Sequence, residues 1–341
     1  MASKLSYYFE MSRRARSWRM APKLWNYVKY RFLKRRAVSS VRRYSPQIAS
    51  LFLTMRCNLN CGYCNAAKIL QAGRDSKIES EADLNKVKQI FANPLFANSL
   101  LVDLAGGEPL LVKELDQIVA YLTKRGHITN VSTNGLLLAE RLVELKRAGI
   151  SRINVSLYEV NRQILERDLT KINRIFPVHM SLVLLKSEVE KNQEKLMETI
   201  RFIHRAGCRS LRFWIYRPMG LEPRPEEIIS DNLPAYLEFR KKVDQAWPCF
   251  CLWPATVRSG KIRKLCPQLW QRVGCDMSGR LMICCGVDTM LPGPNNNLFS
   301  GEPDVVFNHP LLVTMRQQFI DPVSAPPEIC KNCNLLDEPC W

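Results

Sequence analysis

The sequence predicts an α/β protein: six strand–helix units forming a partial (β/α)6 barrel, then a small cysteine-rich C-terminal unit. Three observations predict it. Apolar runs of strand length alternate with helical periodicity from about residue 48 to residue 245. Such alternation implies a parallel sheet, because parallel strands need crossover connections. Cysteine-bearing and polar motifs follow the apolar runs, where parallel α/β barrels carry their ligands. Finally, cysteines cluster beyond residue 250. At 341 residues the chain has room for one barrel-sized domain and a smaller one. The expected division is a basic, helical segment over 1–47, the barrel over 48–245 and the cysteine-rich unit over 246–341.

The elements follow in order. Residues 48–55 form the first apolar run, and Asn58, Asn60 and Gly62 are turn formers after it. Leu84, Val87, Ile90 and Phe91 mark the first helical face, and residues 100–105 the second strand. Leu115, Ile118, Val119 and Leu122 follow, closing at Gly126; residues 128–132 are the third strand. Leu138, Leu142 and Leu145 close at Gly149 before the fourth strand, 153–158. Ile164, Leu165, Leu169 and Ile172 lead to the fifth, 180–185. Leu196, Ile200 and Ile203 close at Gly207 before the sixth, 211–216.

Cys57, Cys61 and Cys64 lie in the loop after the first run with C-x3-C-x2-C spacing. One compact loop of three thiolates can wrap three corners of a cubane iron–sulfur cluster, whose four irons each want a ligand. The fourth iron is then open to something that is not protein. Zinc is the competing reading, but structural zinc takes four closed ligands, usually in paired C-x2-C knuckles. Here no further cysteine occurs until Cys208. The second motif, Gly106-Gly107-Glu108-Pro109, follows the second run. Two glycines let a small ligand lie against bare backbone. A neighbouring carboxylate can accept charge-assisted hydrogen bonds from an ammonium. Taken alone, this is a strand-to-helix turn with Pro109 at the helix start. Its place after the cysteine loop points to a ligand.

Together these motifs resemble the signature of the radical S-adenosylmethionine (SAM) enzymes. The resemblance implies a radical SAM barrel with a 4Fe–4S cluster on Cys57, Cys61 and Cys64, Tyr63 being the aromatic residue of the pattern. It implies that SAM chelates the open iron, that Gly106, Gly107, Glu108 and Pro109 serve its methionyl amino group, and that an electron donor such as flavodoxin or ferredoxin reduces the cluster. SAM is then cleaved to a 5′-deoxyadenosyl radical that abstracts hydrogen from a substrate. Ser132, Asn134 and Ser156 match polar positions that contact SAM ribose or carboxylate in the family; by themselves they read as strand-end turn formers. Lys186 and Arg217 pair with the SAM carboxylate or substrate, or are solvated rim charges.

Beyond residue 250, Gly279 lies five residues before Cys284, as a tight hairpin turn at Ser278-Gly279 would place it. Cys266, Cys284 and the pair Cys330 and Cys333 resemble the SPASM extension or its shorter form, Twitch. The full SPASM pattern has seven cysteines; here only Cys340 follows Cys333. The resemblance therefore implies one auxiliary 4Fe–4S cluster on Cys266, Cys284, Cys330 and Cys333, with a zinc ribbon as the alternative. Cys208 reads as a buried small hydrophobe. Cys249, Cys251, Cys275, Cys285 and Cys340 are candidates to donate hydrogen to a substrate radical, or to replace a cluster ligand.

Thirteen cysteines without an export signal suit a reducing cytosol and ligand roles rather than disulfides. No stretch reads as a membrane span. A cytoplasmic enzyme is expected, with peripheral membrane contact as one option. The chain carries +18, and residues 1–45 hold four Lys and nine Arg against Glu10. Leu24, Trp25, Val28 and Phe32 share one helical face there. Such a segment can lie on an anionic membrane, grip an acidic leader peptide, bind nucleic acid, or cover the open side of the barrel with its apolar face; nucleic acid is the least expected. The predicted reaction is hydrogen abstraction from a peptide or polar small molecule, leading to oxidation, cross-linking or epimerisation. The alternatives are an amino-sugar or lipid-linked-sugar dehydrogenase or epimerase and, more distantly, an iron–sulfur electron carrier or sensor.

Overall fold

Six apolar runs become six parallel strands, and their order in the sheet is their order in the chain. The computed structural model describes residues 18–36, 39–42, 45–62, 64, 66, 68, 70–71, 81–217, 223–254, 266, 268–284, 290–321 and 323–330. Tyr63, Cys285, Cys333, Cys340 and residues 1–17 lie outside them.

After helix α1 (Ala21–Arg36) come β1 (Ile48–Phe52), α2 (Leu84–Ala92), α3 (Pro94–Ala97) and β2 (Leu101–Ala105). Then follow α4 (Leu115–Lys124), β3 (Ile128–Thr133), α5 (Leu138–Arg147), β4 (Arg152–Leu157) and α6 (Glu159–Ile175). Next are β5 (His179–Leu184), α7 (Lys186–Lys191), α8 (Gln193–Arg205), β6 (Ser210–Ile215) and α9 (Pro234–Ala246). The chain ends with β7 (Cys251–Leu252), α10 (Gln268–Gln271), β8 (Arg272–Asp276), α11 (Pro303–Phe307) and α12 (Pro310–Ile320). Gly126, Gly149 and Gly207 close α4, α5 and α8 with φ of +82°, +85° and +81°.

The sheet does not stop at the sixth strand. Its order is β7-β6-β5-β4-β3-β2-β1-β8, all parallel. Both edge strands come from residues beyond 245. β8 lies beside β1, with Leu51 opposite Cys275. The expected hairpin turn follows β8: Cys275 and Leu281 bridge antiparallel, and Asp276 accepts from the backbone N–H of Ser278 and Arg280.

Two faces of the strands differ sharply. Ala49, Leu51, Val102, Leu104, Val131, Ile153 and Val155 are buried in the main core with the helices. The alternate residues are polar. Ser50, Asp103, Asn130 and Arg152 share one register row; Ser132, Asn154, His179 and Ser210 share the next; Ser156, Ser181 and Arg212 a third. Arg272 bridges this face, donating to Ser50 Oγ and to Asp103 Oδ2. A polar concave face lined by an apolar outer layer is a barrel prepared to hold a polar ligand.

Helix α1 lies at the N-terminal ends of the strands. Met20 forms a small cluster with Leu100 and Ile128, and Leu24 and Tyr27 pack against it. Asn26 donates to the carbonyls of Ser45 and Asn98. Docking through Met20, Lys23, Leu24, Asn26 and Tyr27 splits the expected apolar face: Leu24 packs inward, while Trp25 is 62% and Val28 52% exposed. Burial, then the charge of Arg125, lowers Lys23 to about 8. At the other terminus, the fully buried Arg316 donates to the carbonyls of Leu269, Ser40 and Phe307, tying α12 to the segment after α1.

Candidate functional site

The two loops that follow β1 and β2 continue the strand pairing past the sheet. Leu53 N donates to Ala105 O, Gly107 N to Thr54 O at 2.8 Å, and Glu108 N to Arg56 O at 2.8 Å. This close approach explains the glycines. A Cβ on Gly107 would lie 2.0 Å from Arg56 O, and one on Gly106, at φ +137°, 2.9 Å from Thr54 O. The bare backbone expected to face a ligand is pressed against the stretch that leads into the cysteine loop.

That loop holds Cys57, Cys61 and Cys64, each half-buried. Leu59 N donates to Cys57 Sγ at 3.5 Å, and Cys64 N to Cys61 O at 3.1 Å. Burial first, then the neighbouring Cys64 and Cys57, pushes the Cys61 thiol up to about 11. Among the described residues no three His, Cys, Asp or Glu side chains gather to hold a metal ion. A cubane makes a different demand, since each thiolate takes its own iron. Three half-buried thiols on one loop after β1 are the donor set that three corners of such a cluster would take.

Glu108 is 1% exposed, and its carboxylate is held by its own chain. Oε1 accepts from Thr133 Oγ1 at 2.6 Å and Leu110 N at 3.0 Å; Oε2 accepts from Asn134 N at 2.8 Å. Burial raises its pKa, and these three donors oppose the rise. One acceptor position is left, on Oε2. Glu108 is thus first a tie between the ends of β2 and β3. Pro109 starts the short turn of helix after it, as expected.

Asn134 extends the network. Its Nδ2 donates to Asn58 Oδ1 at 2.7 Å, joining the end of β3 to the cysteine loop. Asn161 Nδ2 donates to Asn134 O at 2.6 Å and to Ser156 O at 2.8 Å, joining β3 to β4. Sequence reasoning missed Thr133 and Asn161. Thr133 carried a signal, standing inside the Ser132-Thr133-Asn134-Gly135 run; Asn161 lies within a helix and carried none.

Ser132 and Ser156 both fall on the polar face. Ser132 Oγ accepts from Asn130 at 3.4 Å, and Ser156 Oγ pairs with Ser181 Oγ at 3.2 Å. Lys186 stands apart on the rim, 3.9 Å from Glu190 and 40% exposed, whereas Arg217 is buried.

The downstream cysteines differ in exposure. Cys266 and Cys330 are buried and Cys284 is half-buried. Of the proposed hydrogen donors, Cys251 pairs with Leu211 at the start of β6, and Cys249 precedes it. Both lie at the end of the sheet opposite the cysteine loop. Cys275 is sealed in the main core beside Leu51, on the face turned away from the polar lumen. None of these three is brought to the barrel mouth.

The site is a parallel partial barrel with a three-cysteine loop after its first strand, braced by a Gly-Gly-Glu turn after its second. The family model "Radical SAM superfamily" matches residues 51–229, more than half of the chain. The chain belongs to that superfamily, whose members use a 4Fe–4S cluster and SAM. Among curated relatives, a GTP 3′,8-cyclase of Mycobacterium ulcerans (strain Agy99) is 35% identical over 216 residues, 57% of this chain and 58% of that protein. A GTP 3′,8-cyclase of Aquifex aeolicus (strain VF5) is 28% identical over 194 residues, covering 51% and 58%. The chain spans little more than half the length of these relatives. Among solved structures, Streptococcus suis SuiB bound to precursor peptide SuiA superposes with TM-score 0.62 at 16% identity, covering 92% of this chain and 74% of that one. The same protein bound to S-adenosylmethionine also gives 0.62, covering 89% and 73%. At that identity the likeness is one of fold.

Proposed function

We propose that the chain cleaves SAM reductively at a 4Fe–4S cluster on Cys57, Cys61 and Cys64 and abstracts hydrogen from carbon in a polar small molecule or peptide. When bound, the cluster and SAM supply a 5′-deoxyadenosyl radical. The observation that carries the reading is the network from Asn58 through Asn134 to Glu108 and Asn161. It holds the cysteine loop against the ends of β2, β3 and β4, so the cluster and the lumen keep one geometry. Glu108 Oε2 retains one acceptor position for the methionyl ammonium. Ser132 and Ser156 offer hydroxyls to the ribose or carboxylate.

Arg152 and Arg212 fall on the polar face around His179, whose pKa burial and then these arginines with Arg209 lower to about 3. Arg152 Nε is buried with no hydrogen-bond partner among the described residues. The acid in that row, Asp103, is already paired with Arg272 at 2.5 Å. A nucleotide, as in the GTP 3′,8-cyclase relatives, or a sugar is the first reading of the polar small molecule. A peptide substrate is the second reading, favoured by the fold shared with SuiB. Cys266, Cys284, Cys330 and Cys333 are proposed to hold one auxiliary cluster, whose closed coordination suits taking an electron from a product radical.

The test is anaerobic reconstitution and reduction with SAM. About eight irons per chain and 5′-deoxyadenosine are expected. Changing Cys57, Cys61 and Cys64 together to Ala is expected to halve the iron and abolish cleavage; 5′-deoxyadenosine from that variant sinks the reading. Iron near four with one zinc instead assigns the downstream cysteines to a zinc ribbon.

A further inference from the structure

We infer that the outer side of helix α1 seats this protein on an anionic lipid surface, with the barrel mouth facing away from the membrane. The inner side of α1 is used up, with Met20, Lys23, Asn26 and Tyr27 turned to the barrel. Its outer side presents Trp25 and Val28, one turn apart and more than half exposed. The Lys29 ammonium stands 5.8 Å from the centre of the Trp25 ring. An aromatic and an aliphatic residue flanked by basic ones, on the free side of a helix, is the pattern of a helix lying in a membrane interface.

Neighbouring segments continue the surface. Asn26 bonds to Ser45 and Asn98, Arg42 N donates to Asn308, and α11 packs on α3. These segments add Val41 and Val305, both nearly half exposed. Several apolar side chains spread over adjoining segments suit a bilayer better than one extended peptide.

Charge selects the kind of bilayer. Residues 1–45 carry thirteen basic residues against one acid, so +12 of the chain's +18 lies here. Lys23 and Arg42 of these are buried; a surplus of the size that remains is attracted to a leaflet rich in anionic lipid. No helix among the described residues is long and apolar enough to cross a membrane, so the attachment is to one surface. Position argues against the acidic-peptide role. The helix covers the N-terminal ends of β2 and β3, while the cysteine loop lies past the C-terminal end of β1. An occupant of α1 is therefore separated from the reacting end by the length of a strand, roughly 17–20 Å.

The test is co-sedimentation of the full chain with sucrose-loaded vesicles. Binding to equimolar phosphatidylcholine and phosphatidylglycerol is expected, with little to phosphatidylcholine alone. Raising the salt should weaken it. The double substitution Trp25→Ser and Val28→Ser is expected to weaken binding roughly tenfold to a hundredfold by removing buried apolar area. Both side chains are exposed, so thermal stability and SAM cleavage should be unchanged. Equal binding to both vesicle types, or none, overturns the inference. So does full binding by the double variant, which would leave a purely electrostatic arm. Tighter capture of polyglutamate or an oligonucleotide than of the anionic vesicles, insensitive to Trp25, would reassign the arm to that polyanion.

Discussion

The Thr133 hydroxyl donates to Glu108 Oε1 at 2.6 Å, so the last residue of β3 holds the acid of the Gly-Gly-Glu turn after β2. With Asn134 N–H on the other oxygen, the carboxylate serves as a joint before it serves as a ligand. Glu108→Gln should therefore not behave as a silent isostere. Its amide nitrogen would face the N–H of Leu110 or Asn134, setting donor against donor. A loss of about 1–3 kcal/mol in stability is expected, together with weaker SAM binding. Chemical denaturation and SAM titration on the same samples check both. Full stability with weakened SAM binding would return Glu108 to a ligand role alone.

Asn58 is the point at which this joint reaches the cluster loop. Asn58→Ala removes the acceptor for Asn134 Nδ2, and the loop is expected to loosen. Reconstituted protein should then lose iron faster on desalting or brief exposure to air. Asn58→Asp keeps an acceptor oxygen and should hold iron nearly as the unaltered chain does. Equal iron loss in all three proteins would show that the bond does not brace the loop.

Acid sensitivity should trace in part to His127, at the start of the third unit. The ring is buried, donates to Ser99 O and meets Phe91 edge-on at 4.9 Å. Burial first, then the charge of Lys23, lowers its pKa from 6.5 to about 3. The native state holds the neutral ring, so this contribution is intact above pH 6.5 and is lost as pH falls toward 3. His127→Phe removes the titrating group while keeping the ring. It should flatten stability against pH in that window by about 1.4 kcal/mol per pH unit. Denaturation midpoints between pH 4 and pH 7 measure the slope; parallel curves for the two proteins would reject the assignment.

The six strand–helix units were legible because each carries its own local period and its own stop, as Leu138, Leu142 and Leu145 with Gly149 do. The motif residues at strand ends were legible for the same reason. The edge strands were not. β7 is two residues long, and β8, Arg272–Asp276, mixes two charges with a glycine, because Arg272 serves the polar lumen. Its partner β1 lies more than 200 residues upstream, so no local pattern could announce the pairing. The outward turn of Trp25 and Val28 on α1 was hidden for a related reason. Periodicity grouped Leu24 with Trp25 and Val28, but the bonds from Asn26 to Ser45 and Asn98 turn the helix so that only Leu24 of the three packs inward.

Which cysteine can quench a substrate radical is narrowed by strand direction. The proposed chemistry lies at the C-terminal ends of the strands, where Cys57, Cys61, Cys64 and Glu108 stand. Cys249 and Cys251 sit beside the opposite end of β6, and Cys275 points into the apolar layer outside the lumen. Burial also pushes the Cys251 thiol up to about 12 and Cys275 well above its usual range, as befits structural thiols. Cys249→Ser, Cys251→Ala and Cys275→Ala should each leave product formation and its stereochemistry unchanged, apart from any loss of stability. If the reaction is an epimerisation, deuterium from solvent will enter the product, and these three variants should still incorporate it. Loss of incorporation in one of them, with 5′-deoxyadenosine still formed, would mean that its thiol reaches the radical and that the lumen opens toward that end of the barrel.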